Sequence, residues 1–211
     1  MFLTDSLKIG IVKIDLKKIC NLLGDESMKK GNSIQAIVAI GIGAAIYFVL
    51  ARYVAIPTPV PNTTLQTSYG FLALIASVFG PIVGGLVGFL GHTLTDMTLY
   101  GPWWSWIVCS GICGVCYGFI GKFLSVTKGI FGVKDAIIFN IGQIVTNIVA
   151  WGVIAPSLDI LIYSEPANKV YLQGLTSAAL NSISVAIIGT ILLYSYAKTR
   201  VQKGSLSKEN D

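Results

Sequence analysis

"CSGICGVC", Cys109 to Cys116, is the stretch on which the fold turns. Cysteines separated by three and then two residues are spaced like those that grip an iron–sulfur cluster, which would need a loop or cavity and a compensated charge. On a helix at 100° per residue, however, Cys109, Cys113 and Cys116 share one face, and Gly111, Gly114, Gly118 and Gly121 share the opposite one. A glycine stripe admits a neighbouring backbone at close range, as packed membrane helices require. With no fourth ligand in sight, the cysteines read as small apolar packing residues. The segment is then a transmembrane helix, with neither a metal site nor a catalytic one.

The composition around it agrees. The chain has 211 residues, 54% hydrophobic and 12% charged, where soluble domains carry about 25% charged residues. Lys and Arg sit before residue 31, between 122 and 134 and after 197, with Arg52 and Lys169 as exceptions. Between these islands run apolar stretches of about 20 residues, enough to cross a ~30 Å hydrocarbon core. Basic residues flanking such stretches report orientation in the membrane, so the net charge of +5 does not point to a nucleic-acid partner. The fourth cysteine, Cys20, lies near the N-terminus, and no extracellular disulfide framework is visible.

Six spans are expected, which gives an all-α integral membrane bundle of six transmembrane helices. The first runs from about Ile34 to Ala55 and is closed by "IPTPVPN", whose prolines cannot continue a helix. A short second span covers Tyr69 to Phe79, and after the turn "FGP" a third runs to Leu99. The tryptophan-rich loop "YGPWWSW" precedes a fourth span ending near Leu124, and a fifth covers Ala136 to Ala155. After Pro156 an aqueous loop is expected to carry Asp159, Glu165 and Lys169, before a sixth span from Leu172 to Ala197. With six spans nearly all the basic residues share one side, assigned to the cytoplasm together with both termini.

Residues 1–27 lack a long apolar core and are neither a signal peptide nor a span. They read as an N-terminal extension to the membrane domain of residues 28–211. The codons for Gly24-Asp25 can contain a ribosome-binding site, so native translation is expected to begin at Met28. The alternative is an amphipathic surface helix.

Polar residues inside a bilayer are costly and therefore informative. Asn140, Gln143, Asn147 and Trp151 form one stripe along the fifth span. Gln173, Ser177, Asn181 and Ser184 form another along the sixth. Two carboxamide faces on consecutive antiparallel helices suit a flat, neutral ligand rich in heteroatoms, and equally suit interhelical hydrogen bonding. His92 and Asp96, at i and i+4, could relay protons, touch a ligand or bond at the interface. Arg52 either snorkels to headgroups or clamps an acidic group. Trp103, Trp104 and Trp106 suit an interfacial belt, and one ring could stack on a heteroaromatic ligand.

From Met28 onward the chain resembles the S-components of energy-coupling-factor (ECF) vitamin transporters. The resemblance lies in "GIGAA" of the first span, "IPTPVPNTTLQ", "FGPIVGGLVGFLGHTLTD" and "FNIGQIVTNIVAW", strings similar to a branch often labelled riboflavin-type. It implies a non-enzymatic subunit without an ATPase, and no GxxxxGK[ST] loop occurs here. It further implies capture of a vitamin or precursor, riboflavin-like or pyrimidine-like, from outside, with the first loop as a lid and no cofactor. A transmembrane coupling (T) protein and two cytoplasmic ATPase subunits would be the partners. The expected ligand contacts are Asn62, Thr64 and Gln66 in that loop, Asp96, Trp103, Asn147 and Trp151, and Gln173, Ser177 and Asn181. The family's pair of small residues for docking falls on Gly41 and Ala45, with Ala39 and Gly43 as a second register. The rival reading is a self-sufficient secondary transporter or channel using His92 and Asp96.

Overall fold

The computed structural model describes residues 8–9, 12–13 and 30–200. Most of the proposed N-terminal extension, including Met28, therefore lies outside the described residues. The chain divides into two compact units, residues 1–37 and 38–211. In the first, strands β1 (Lys8–Ile9) and β2 (Val12–Lys13) pair antiparallel.

The second unit is helical. Helix α1 (Lys30–Tyr53), whose first residues group with the N-terminal unit, leads into a hairpin of β3 (Ile56–Pro57) and β4 (Thr64–Leu65). Then come α2 (Ser68–Phe79), α3 (Pro81–Met97) and α4 (Trp104–Gly121). Two long helices, α5 (Val133–Tyr163) and α6 (Ala167–Thr199), complete the fold. Four of these six are long and apolar enough to cross a membrane, namely α1, α4, α5 and α6. The outward-facing side chains are apolar, among them Val38, Ile42, Val145 and Ile187, which in water would be an aggregating surface and in lipid is the solvated one.

Glycine builds the centre. A Cβ placed on Gly114 would overlap the carbonyl of Gly84, and one on Gly118 would overlap the backbone of Pro81. The stripe on α4 thus lets α3 pack backbone to backbone against it, with Gly88 meeting the carbonyl of Ser110 in the same seam. Cys109 and Cys113 are buried free thiols, and Cys116 is half-buried.

The sequence reading is corrected at Pro156. Helix α5 does not stop there but runs on to Tyr163, so Asp159 lies on a buried helical face and not in an aqueous loop. The cause is a π-helical stretch over Ile148–Ile154, in which the Ala155 N–H reaches back five residues to Ala150. This resets the ladder so that Pro156 falls in the first turn of the segment Ala155–Tyr163, where its missing N–H costs nothing. Gly174 of α6 lies against the Trp151 carbonyl and the Pro156 ring, where no side chain would fit. A second π-helical stretch, Val185–Gly189, lets α6 meet Gly70 of α2.

Candidate functional site

The C-terminal ends of α1, α3 and α5, the β3–β4 hairpin and the N-terminal ends of α2, α4 and α6 enclose a cavity of about 550 Å³. That size is ordinary for a small-molecule site. The aromatic side of its wall is a chain of rings. Tyr47 meets Tyr69 edge-on at 5.6 Å, and Tyr69 meets Trp151 edge-on at 5.3 Å. Trp151 in turn stacks on Trp106 at 5.6 Å with an interplanar angle of 22°.

Asp159 fixes the two tryptophans of α4's entrance. Its carboxylate is 1% exposed and accepts from Trp103 Nε1 at 2.8 Å, Trp106 Nε1 at 2.7 Å and the Ser105 hydroxyl. Three converging donors suit a group that only accepts. Trp103 and Trp106 therefore turn inward instead of lying in an interfacial belt. Trp104 is the outward one, half-exposed and stacked on Phe89. The sequence reading sets Asp159 in an aqueous loop, because it lies beyond Pro156 and, at 100° per residue, about 80° past Trp151 and off the fifth-span stripe.

The hairpin lines one side of the cavity. Asn62 takes a left-handed backbone conformation at its turn (φ 58°), and Thr58 and Thr63 hydroxyls bond each other across it. Gln173 Nε2 donates to the Pro61 carbonyl at 2.9 Å, and Ser184 Oγ donates to the Gln66 carbonyl at 2.6 Å. Two side chains of α6 thereby tie the loop down. Within the loop Gln66 Nε2 donates to Thr64 Oγ1 at 2.7 Å.

Nine of the ten residues expected to contact a ligand line this cavity. Asn62, Thr64 and Gln66 come from the hairpin side, Asp96 and Trp103 from the α3–α4 side, and Trp151, Gln173, Ser177 and Asn181 from α5 and α6. Asn147 is the exception and needs correction. It is buried beneath Trp151, accepting from Trp151 Nε1 at 3.1 Å and donating to the Tyr117 hydroxyl and to Gln143, each at 2.9 Å. Deeper still, Gln143 donates to the Ser182 carbonyl at 3.1 Å and Asn140 to Thr190 Oγ1 at 3.1 Å. The inner half of the fifth-span stripe is helix-to-helix bonding, and only its outer half faces the cavity.

The small residues of α1 split the same way. Ala39 and Gly43 point inward, and a Cβ on Gly43 would come within 2.8 Å of Val87. This second register is buried in internal packing and is not an exposed face. Gly41 and Ala45 are exposed on the opposite side, with open space around Gly41. Among the described residues no group of three His, Cys, Asp or Glu side chains is placed to hold a metal.

A helical membrane protein with an aromatic and amide-walled cavity at one end is the class that fold and site define. The chain belongs to the family of the ECF-type riboflavin transporter S component, which matches residues 31–198. UPF0397 proteins of Staphylococcus aureus strains JH9 and N315 are each 58% identical over 184 residues, 86% of this chain and 100% of theirs. A crystal structure of the S-component for biotin from an ECF-type ABC transporter shares the fold, with a TM-score of 0.56 at 12% identity. That likeness covers 83% of this chain and 96% of the other.

Proposed function

We propose that this chain is the substrate-specificity subunit of an ECF importer. It captures a flat, water-soluble vitamin or precursor, riboflavin-like or pyrimidine-like, in the cavity beside the β3–β4 hairpin. The observation that carries this reading is the wall itself. Aromatic rings, the amides of Gln173 and Asn181 and the Ser177 hydroxyl converge on a space at one end of the bundle. Aromatic faces supply apolar contact, and the few polar groups fix the ligand's orientation.

The cavity end is the outer one when the basic loops lie in the cytoplasm, which places both termini there. All six helices cross in this reading. Helix α2 has 12 residues, about 18 Å at 1.5 Å per residue, and is shorter than the hydrocarbon core. It is shielded by its neighbours and crosses as a hairpin with α3. The exposed Gly41–Ala45 face of α1 receives the T protein, and two cytoplasmic ATPases supply the energy.

Uptake into cells separates this from a self-sufficient secondary transporter working through the His92–Asp96 pair. Substrate accumulation is expected only when a T protein and both ATPases are coexpressed, and is lost when the ATPases are inactivated. Accumulation by this chain alone, abolished by Asp96→Asn, would establish the rival.

A further inference from the structure

At the end of the bundle opposite the cavity, the loop between α4 and α5 packs on the end of α6. Gly129 takes a positive φ of 80° there, and a Cβ on it would press on the Arg200 carbonyl. The loop and α6 leave a pocket of about 220 Å³ whose wall includes Ile130, Phe131, Tyr194 and Lys198. Asp135, the acidic residue of this segment, is used by the loop itself. It accepts from the Ser125 N–H at 2.9 Å and the Gly132 N–H at 3.1 Å. Lys128, Lys134 and Lys198 are exposed, and among the described residues none of them is ion-paired.

The apolar side chains of the same loop are exposed as well. Phe123 is 75% exposed, Val133 79% and Ile130 51%. In water such a surface is unfavourable, whereas at the boundary between headgroups and acyl chains it is buried. Along α6, the exposed residues Ile187, Ile191, Tyr194 and Lys198 stand at i, i+4, i+7 and i+11 and so form one outward stripe. It runs from two isoleucines through an aromatic ring to an ammonium, with Lys198 Nζ 5.3 Å from the centre of the Tyr194 ring. That order matches a phospholipid lying along the helix, from acyl chain through glycerol ester to phosphate. Tyrosine favours the interfacial level, and lysine reaches out of the hydrocarbon toward the headgroups.

We propose that this end of the bundle seats an anionic phospholipid, with its phosphate between Lys128 and Lys198 and one acyl chain along Ile187 and Ile191. Charge selects the headgroup, since a zwitterionic lipid offers the same chains and phosphate but carries a cation of its own into a basic site. A soluble partner would meet the lysines but not the apolar stripe that leads away from them. The seat is independent of what the cavity holds.

Native mass spectrometry of the detergent-purified full chain tests this with dioleoyl phosphatidylglycerol against dioleoyl phosphatidylcholine. A lysine at the membrane surface contributes about fivefold to the binding of anionic lipid, so two lysines give wild type a preference of roughly twentyfold for phosphatidylglycerol. Lys198→Gln is expected to weaken phosphatidylglycerol about fivefold, and Lys128→Gln added to it to erase most of the preference, with phosphatidylcholine unchanged. Should the double variant fold poorly, raised salt on wild type is expected to shrink the preference by screening. Equal binding of the two lipids to wild type, or a preference that survives both substitutions, would overturn the proposal. Excess inorganic phosphate is expected not to displace the lipid, because it has no chain for Ile187 and Ile191. Displacement would reveal a bare anion site and overturn the lipid seat. A double variant that keeps the preference yet loses uptake with coexpressed partners would make this end a protein-docking surface instead.

Discussion

Asp159→Asn is the most informative single change in the cavity wall. The carboxylate receives two indole N–H groups at 2.7–2.8 Å and a serine hydroxyl, all in a site 1% exposed. Asparagine keeps one acceptor oxygen and puts an NH2 where the second was, so a donor faces an indole donor. One buried donor left without a partner costs about 1–3 kcal/mol, and Ser105 escapes by rotating. For a chain of this size each kcal/mol lowers the midpoint by about 2–4 °C, so a fall of roughly 2–12 °C is expected. Asp159→Ala orphans both indoles and is expected to cost about twice as much. Trp106 stacks on Trp151, so its release also disorders the cavity wall, and ligand affinity should fall with stability. Thermal unfolding and titration of the same preparations provide the assay. Wild-type midpoint and affinity in both variants would refute the positioning role.

Gly41→Leu or Ala45→Leu is expected to abolish uptake while sparing ligand affinity, because that face of α1 is open. Gly43→Leu should instead destabilise the isolated protein, since Val87 already lies within 2.8 Å of a Cβ there. Thermal unfolding and uptake side by side would distinguish the two. Asn147→Ala should lower the midpoint by several degrees, through lost bonds to Tyr117 and Trp151, and change affinity far less than Trp151→Ala does. Titration giving the reverse order would return Asn147 to the binding wall. Replacing Cys109, Cys113 and Cys116 together by Ala is expected to leave binding intact, and iron copurifying in stoichiometric amount would refute it. N-terminal sequencing of protein made from its own promoter should begin at Met28.

Much of the bundle was legible because lipid imposes simple rules. Apolar length marked α1, α4 and the cores of α5 and α6, and the glycine spacing on α4 marked the face that meets α3. Pro156 misled, because a proline ends an α-helical ladder unless a π turn precedes it, and nothing in "NIVAWGVIAP" announces the change of pitch. Asp159 was lost with that misreading. The two amide stripes were visible as periodicities, but periodicity gives a face and not a depth. Asn147 and Trp151 share one face, and only the packing of Tyr117 and Gln143 decides that the ring reaches the cavity and the amide does not. Ala39 and Gly43 likewise matched the spacing of Gly41 and Ala45, two residues out of phase, and only the position of Val87 separates inward from outward.

The central claim is that the cavity holds the transported molecule. Ser177 lies on its wall at 7% exposure, where a tryptophan side chain would fill much of the space. Mass spectrometry of small molecules retained by detergent-purified wild type and Ser177→Trp tests the claim directly. One heteroaromatic compound per chain is expected from wild type and none from Ser177→Trp at equal thermal stability. Equal retention by both proteins would contradict it.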